Sequence, residues 1–215
     1  MSPVNPRERL AREAVRLHAR YQLELIERFA LCPWAKLARA ENHTRTHVVL
    51  DTRCLPNELA PVLEGWDKDE SIDVAFVIAP RFDDGPEAFA RWTVSLAALL
   101  DGRFLSAPFY PGVDETAGSV RFFRQTPDPT VQLVRRARLE EARAQDPPHY
   151  KDIFTLNMRD LQADRAPKTV AASVIEHNQR VLDREGRSTV QAILDDIYAD
   201  RDRTYAELMP LLQAG

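Results

Sequence analysis

The sequence predicts an α/β fold: a small sheet of three to four strands packed by helices, followed by a C-terminal helical hairpin, with α+β as the alternative arrangement. Three observations predict it. Apolar residues recur at helical spacing in both terminal segments. A near-continuous apolar run, IDVAFVIAP at 72–80, has the character of a strand covered on both faces. Between residues 46 and 123, strand-like and helix-like segments alternate, as in a sheet with helices packed against it.

Residues 7–31 read as one helix, in which Leu10, Ala14, Leu17, Tyr21, Leu25 and Ala30 return every three or four residues. Pro33 is expected to end it, because proline lacks an N–H and disfavours helix at the preceding residue. A second short helix should follow, with Cys32 near its N-cap and Pro33 at its first position. Residues 46–51 (THVVLD) predict a strand, 56–65 a short helix closed by glycine, and 72–80 the central strand. Residues 86–100 predict an amphipathic helix carrying Phe89, Trp92 and Leu96, 104–110 a third strand, and 119–123 a fourth.

Asp128 and Pro129 read as an N-cap and first-turn pair opening a helix to about residue 143. Pro147 and Pro148 break the chain before a helix at 150–161, and Ala166-Pro167 marks another joint. The hairpin then runs from 169 to 185, stops at Gly186, is capped again by Ser188 and continues from 189. Two units are expected: a main domain over 1–162, and a helical extension over 163–215 packing on that domain or on a partner subunit.

Hydrophobic residues make up 44% of the 215 and charged residues 29%, which argues for a folded chain rather than a disordered one. A net charge of -4 provides no global basic field for nucleic acid or an anionic membrane. No run approaches the ~20 apolar residues of a membrane span. The two cysteines, Cys32 and Cys54, form no disulfide framework, so a cytoplasmic location is the expectation.

Cys32 is the first candidate for chemistry. A thiol at a helix N-terminus is acidified by unpaired backbone N–H groups, and Leu31, Pro33 and Trp34 surround it with apolar bulk. An inert cysteine buried at a helix kink is the competing reading. The second candidate is the stretch from 119 to 138, which holds Arg121, Arg124, Arg135, Arg136 and Arg138 against one acid, Asp128. A helix opening at Asp128 would aim free N–H groups into the loop containing Arg124, where an anion could sit. Asp128 would itself occupy part of that positive end, and helix arginines are commonly solvated or paired. Tyr110 ends the third strand, where ligands of open α/β sheets tend to bind. Asp114 and Glu115 follow as turn residues or as base and ligand candidates. His43 and His47 stand four apart but across a loop and strand start, so no metal site is expected. The chain has no glycine-rich phosphate loop, GxSxG elbow or HExxH.

The order of ALCPWAK, FYPG, RQTPDPTVQLVR and IFTLNMRDL along residues 10–162 resembles the bacterial domain-of-unknown-function family numbered 1415. That family shows Leu-Cys-Pro-Phe-Ala, Phe-His-Pro, an Arg-Ser-Pro-x-Pro-Thr stretch leading to Leu-Leu-Arg, and Ile-Tyr-x-x-Asn. The resemblance falls on Cys32, Pro33, Pro111, Arg124, Pro127, Pro129, Thr130, Arg135 and Asn157. Tyr110 and Gln132 stand where the family carries histidines, so any chemistry that depends on those imidazoles does not transfer.

Together these readings define an expectation. A small anionic ligand, carboxylate or phosphate, would be held by Arg124 and Arg135, with Thr130 donating and Trp34, Gln132 and Asn157 completing the wall. Cys32 or Tyr110 would act as nucleophile or proton donor. Neither the reaction nor a cofactor is specified by the residues. The alternative is a non-catalytic ligand-binding or assembly protein, self-associating as a homodimer through 166–215 along the stripe Val190, Ile193, Leu194, Ile197 and Tyr198. A weaker third reading has Phe122 and Phe123 stacking on nucleic-acid bases.

Overall fold

The computed structural model describes residues 5–32, 35–52, 55–112, 118–144 and 170–213. Its order is α1 (Pro6–Tyr21), α2 (Ala35–Ala40), β1 (Thr44–Val48), α3 (Ala60–Lys68), β2 (Val74–Ile78), α4 (Pro86–Ala98), β3 (Phe104–Phe109), α5 (Ser119–Phe122), β4 (Thr130–Arg135), α6 (Arg136–Ala144), α7 (Val170–Glu185) and α8 (Arg187–Gln213). A mixed four-stranded sheet in the order β1-β2-β4-β3, packed by helices, bears out the α/β expectation. The expected helix at 150–161 lies outside the described residues, as do Pro33, Trp34, Cys54, Asp114, Glu115 and Asn157.

Asn5 opens α1 by accepting from the Arg7 N–H at 2.9 Å, with Pro6 at the first helical position. The helix then widens into a π-turn over Gln22–Glu27. It ends earlier than proline would require. Ala30 turns left-handed at φ 51°, its N–H bonding to the Glu27 carbonyl and that of Leu31 to Ile26 at 2.9 Å. This double closure is a Schellman cap, made here without glycine. Asn42, at φ 58°, ends α2 in the same way, with the His43 N–H returning to Ala38.

β1 and β2 run parallel, whereas β4 lies between β2 and β3 and is antiparallel to both. Two sequence expectations therefore fail together. Asp128-Pro129 begins no helix: Thr130–Arg135 is an inner strand, and helix starts only at Arg136. The segment expected as a fourth strand, Ser119–Phe123, instead forms a single helical turn over Ser119–Phe122. TVQLV does alternate with period two, sending Val131 and Leu133 to one face and Thr130 and Gln132 to the other. Sheet pairing on both sides overrode the local capping signal.

Val131 and Leu133 join Ala75 and Val77 beneath α3 and α4, where Leu63, Phe89, Leu96 and Leu100 complete a buried layer. On the opposite face Phe76 packs against Val74 and Ala38, and its ring lies 4.5 Å from that of His18 on α1. Above α1, a second apolar cluster takes Leu10, Leu17, Tyr21 and Leu25 together with Val190, Leu194, Ile197 and Leu208 of α8. The C-terminal hairpin thus packs on its own chain. The stripe proposed for self-association is consumed there, with Val190 and Ile197 fully buried and Ile193 and Tyr198 packed against the same cluster. Gly186, at φ 82°, makes the reversal between α7 and α8, a conformation glycine adopts without strain.

Candidate functional site

α1, its π-turn and the sheet enclose a cavity of about 150 Å³. His18, Gln22, Cys32, Thr46, Phe76 and Gln132 are among its walls, so two sequence-selected residues, Cys32 and Gln132, meet in one space. Strand alternation explains Gln132: it pairs with Phe76 and Ala107 and shares their face. The π-turn adds one residue per turn and so places Gln22 and Glu27 on the cavity side. Glu27 is held by Arg39 through two bonds of 2.6 and 2.8 Å, which neutralises that part of the wall.

His18 was not selected from the sequence. It is almost wholly buried, burial pushes its imidazole down to about 4, and its Nδ1 has no hydrogen-bond partner. At neutral pH it is therefore an uncharged ring against Phe76. Its signal was present as a polar residue inside the apolar stripe Leu10, Ala14, Leu17 and Tyr21.

Beside the cavity, the Tyr21 hydroxyl donates to the Phe123 carbonyl. Burial raises this phenol well above its ordinary value; Tyr198 and Cys32 push in the same direction and Arg124 opposes them. Cys32 and Arg124 therefore both act on one hydroxyl. Cys32 is half-buried in a bend, its carbonyl accepting from the Ala35 N–H at 3.3 Å where the described part of α2 begins. Arg124 lies over the Phe109 ring at 5.5 Å. Loss of solvent lowers its guanidinium below the ordinary value, and only Tyr21 favours its charge. No described carboxylate or hydrogen-bond acceptor engages it. Tyr198 borders the same group, its hydroxyl accepting from the Gly112 N–H at 3.4 Å, and burial pushes it up to about 12.

The remaining selected residues do other work. Tyr110 shares a backbone bond with Arg124, N–H to carbonyl at 3.1 Å, yet its ring points to the opposite face, 5.8 Å from Phe89. Its hydroxyl is raised chiefly by burial, with the Gly85 backbone pulling the other way. Cys32 and Tyr110 are thus separated by the sheet. Arg135 stacks on Phe104 at 4.6 Å and donates to the carbonyls of Ile72, Trp66 and Asp69 at 2.7, 2.9 and 2.7 Å. It stands at the far end of β4 from Thr130, about 17 Å away at 3.4 Å per residue, so it cannot share an anion with Arg124. The Thr130 hydroxyl donates to the Asp128 carbonyl at 2.8 Å. Phe122 and Phe123 are both buried and offer no face to a base.

No protein-family model, curated protein or solved structure matches this chain. Among the described residues there is no cluster of His, Cys, Asp and Glu able to hold a metal, and no helix is long and apolar enough to cross a membrane. The arrangement thus offers a sulfur and a cation with no described counter-charge near one buried phenol, next to a small, mainly apolar cavity into which His18, Gln22, Thr46 and Gln132 bring polar groups.

Proposed function

We propose that this chain binds a small anionic metabolite, a carboxylate or phosphate, on the α1 side of the sheet, with Arg124 as its charge partner. The observation that supports this is the half-buried Arg124 guanidinium, which has lost solvent and, among the described residues, gained an aromatic face and the neighbouring Tyr21 but no carboxylate. A cation in that condition is costly until an anion joins it. Cys32, which lines the adjoining cavity, is the reacting group in the catalytic form of the proposal. In its non-catalytic form the same ligand is bound and the thiol only packs. Kinship with the family numbered 1415 and a cytoplasmic location belong to the proposal and rest on the sequence motifs and cysteine usage alone.

Calorimetric titration with inorganic phosphate and with acetate, on the wild type and Arg124→Gln, tests the reading. Binding by the wild type that weakens at least about tenfold in Arg124→Gln is expected, since hydrogen bonds to a charged group contribute roughly 1.5–3 kcal/mol. Equal affinity in the two proteins, or no binding by either, overturns it. Turnover or ligand response unchanged in Cys32→Ala selects the non-catalytic form.

A further inference from the structure

A larger cavity, about 440 Å³, opens beyond the carboxyl ends of the parallel strands β1 and β2. Its floor is Val49 and Ala79, the residues immediately following those strands, and both are buried. Phe82 and Trp92 form an aromatic wall, their rings 6.1 Å apart. Asp51 and Asp84 supply the only charges among the described lining residues. Asp51 is bound to Arg7 at 2.8 Å, whereas no described cation engages Asp84. This cavity is independent of Arg124: the strands separate Phe109, on which Arg124 lies, from Phe89, which packs against both Phe82 and Trp92.

Position, size and chemistry converge. Ligands of open α/β sheets bind outside the carboxyl ends of the strands. The volume falls within the several-hundred Å³ range of small-molecule sites, with apolar walls and few polar groups. Aromatic faces attract cations, and a carboxylate at the rim with no described counter-charge adds direct charge complementarity. We infer that this strand-end cavity is a second ligand site, one that takes an organic ammonium ion carrying an aromatic or apolar body. The body lies on Phe82 and Trp92, and the ammonium faces Asp84.

The probes are tryptamine, uncharged tryptophol and indole-3-acetate, three ligands with one ring and three charges. Each is titrated at low ionic strength into the full chain while protein chemical shifts are followed. Tryptamine is expected to bind with shifts at Trp92 and its neighbours, about tenfold more tightly than tryptophol, with indole-3-acetate weakest. Asp84→Asn, an exposed substitution, should remove the preference for the cation, and Trp92→Leu should weaken all three. Glu140→Gln, on α6, which leaves β4 at the opposite end of the strands, should change nothing, which separates a local carboxylate from the net charge of -4. Equal affinity for the three probes, no binding at millimolar concentration, or tryptamine binding indifferent to Asp84→Asn overturns the inference. Arg124→Gln leaves this site intact, so its fate and that of the anion site are read separately.

Discussion

The Asp128 carboxylate meets the Arg201 guanidinium at 2.7 Å and accepts from the Tyr205 hydroxyl at 2.7 Å, joining the loop before β4 to the middle of α8. Asp128 is 1% exposed, and burial pushes its carboxyl above the ordinary range against the pull of both partners. Arg201 also lies over the Tyr205 ring at 4.6 Å. The residue that looks like a helix cap in the sequence instead anchors the C-terminal hairpin to the sheet.

Removing Arg201 leaves the buried Asp128 carboxylate without its counter-charge, and removing Asp128 leaves Arg201 only the longer 3.4 Å contact with Asp202. Asp128→Ala or Arg201→Met should each cost about 3–5 kcal/mol in urea unfolding, and the double variant should cost clearly less than the sum. Two single losses below about 1 kcal/mol, on the scale of an exposed pair, would contradict the anchoring role.

Arg124 and Arg135 should separate stability from ligand response. Arg135→Leu strips donors from three carbonyls, so a loss of roughly 2–3 kcal/mol is expected with phosphate or acetate binding unchanged per folded molecule. Arg124→Leu removes a cation with no described counter-charge, so stability should hold or rise while anion binding disappears. The reverse pattern would exchange the two roles.

His18 should produce an acid limb in the stability profile. The unfolded chain takes up a proton near pH 6.5, whereas the native ring accepts one only near pH 4. Stability is therefore fully present above pH 6.5 and is lost as the pH falls towards 4, by roughly 3 kcal/mol. His18→Leu should flatten that window. Asp200, held down to about 2 by Arg16 and Arg20, acts only below its unfolded value of 3.8, so the two limbs are distinguishable. An unchanged profile between pH 6.5 and 4 in His18→Leu would assign the limb elsewhere.

Because Cys32 and Arg124 act on the same Tyr21 hydroxyl, an anion at Arg124 should shield the thiol. Alkylation of Cys32 by iodoacetamide, followed by mass spectrometry, is expected to slow several-fold with saturating ligand in the wild type and not in Arg124→Gln. Labelling indifferent to the ligand would detach the sulfur from the site.

Cys32 and Arg124 stand out in the sequence as a thiol and a cation at predicted element ends, and Gln132 through the family resemblance, which places a histidine there; Cys32 and Gln132 line one cavity, and Arg124 lies on the same face of the sheet. His18 and Tyr21 were read only as part of a helical face, since spacing shows which side of a helix is buried and not what it is buried against. Arg135 and Arg124 looked equivalent in the sequence. Their difference arises from partners far along the chain: Trp66, Asp69 and Ile72 for Arg135, and the ring of Phe109 for Arg124.

By itself, the sequence determined the α/β class, the buried strand Val74–Ile78, the helix Pro86–Ala98 and the C-terminal hairpin turning at Gly186, because periodicity, apolar runs and glycine act locally. Only the tertiary structure decided that Thr130–Arg135 is an inner strand and that Ser119–Phe122 is a helical turn. It also decided that Asp128 serves α8 and that Cys32 and Tyr110 stand on opposite faces of the sheet. Those outcomes depend on ladder hydrogen bonds and ion pairs between residues distant in sequence, whose combined free energy exceeds the preference of a capping dipeptide.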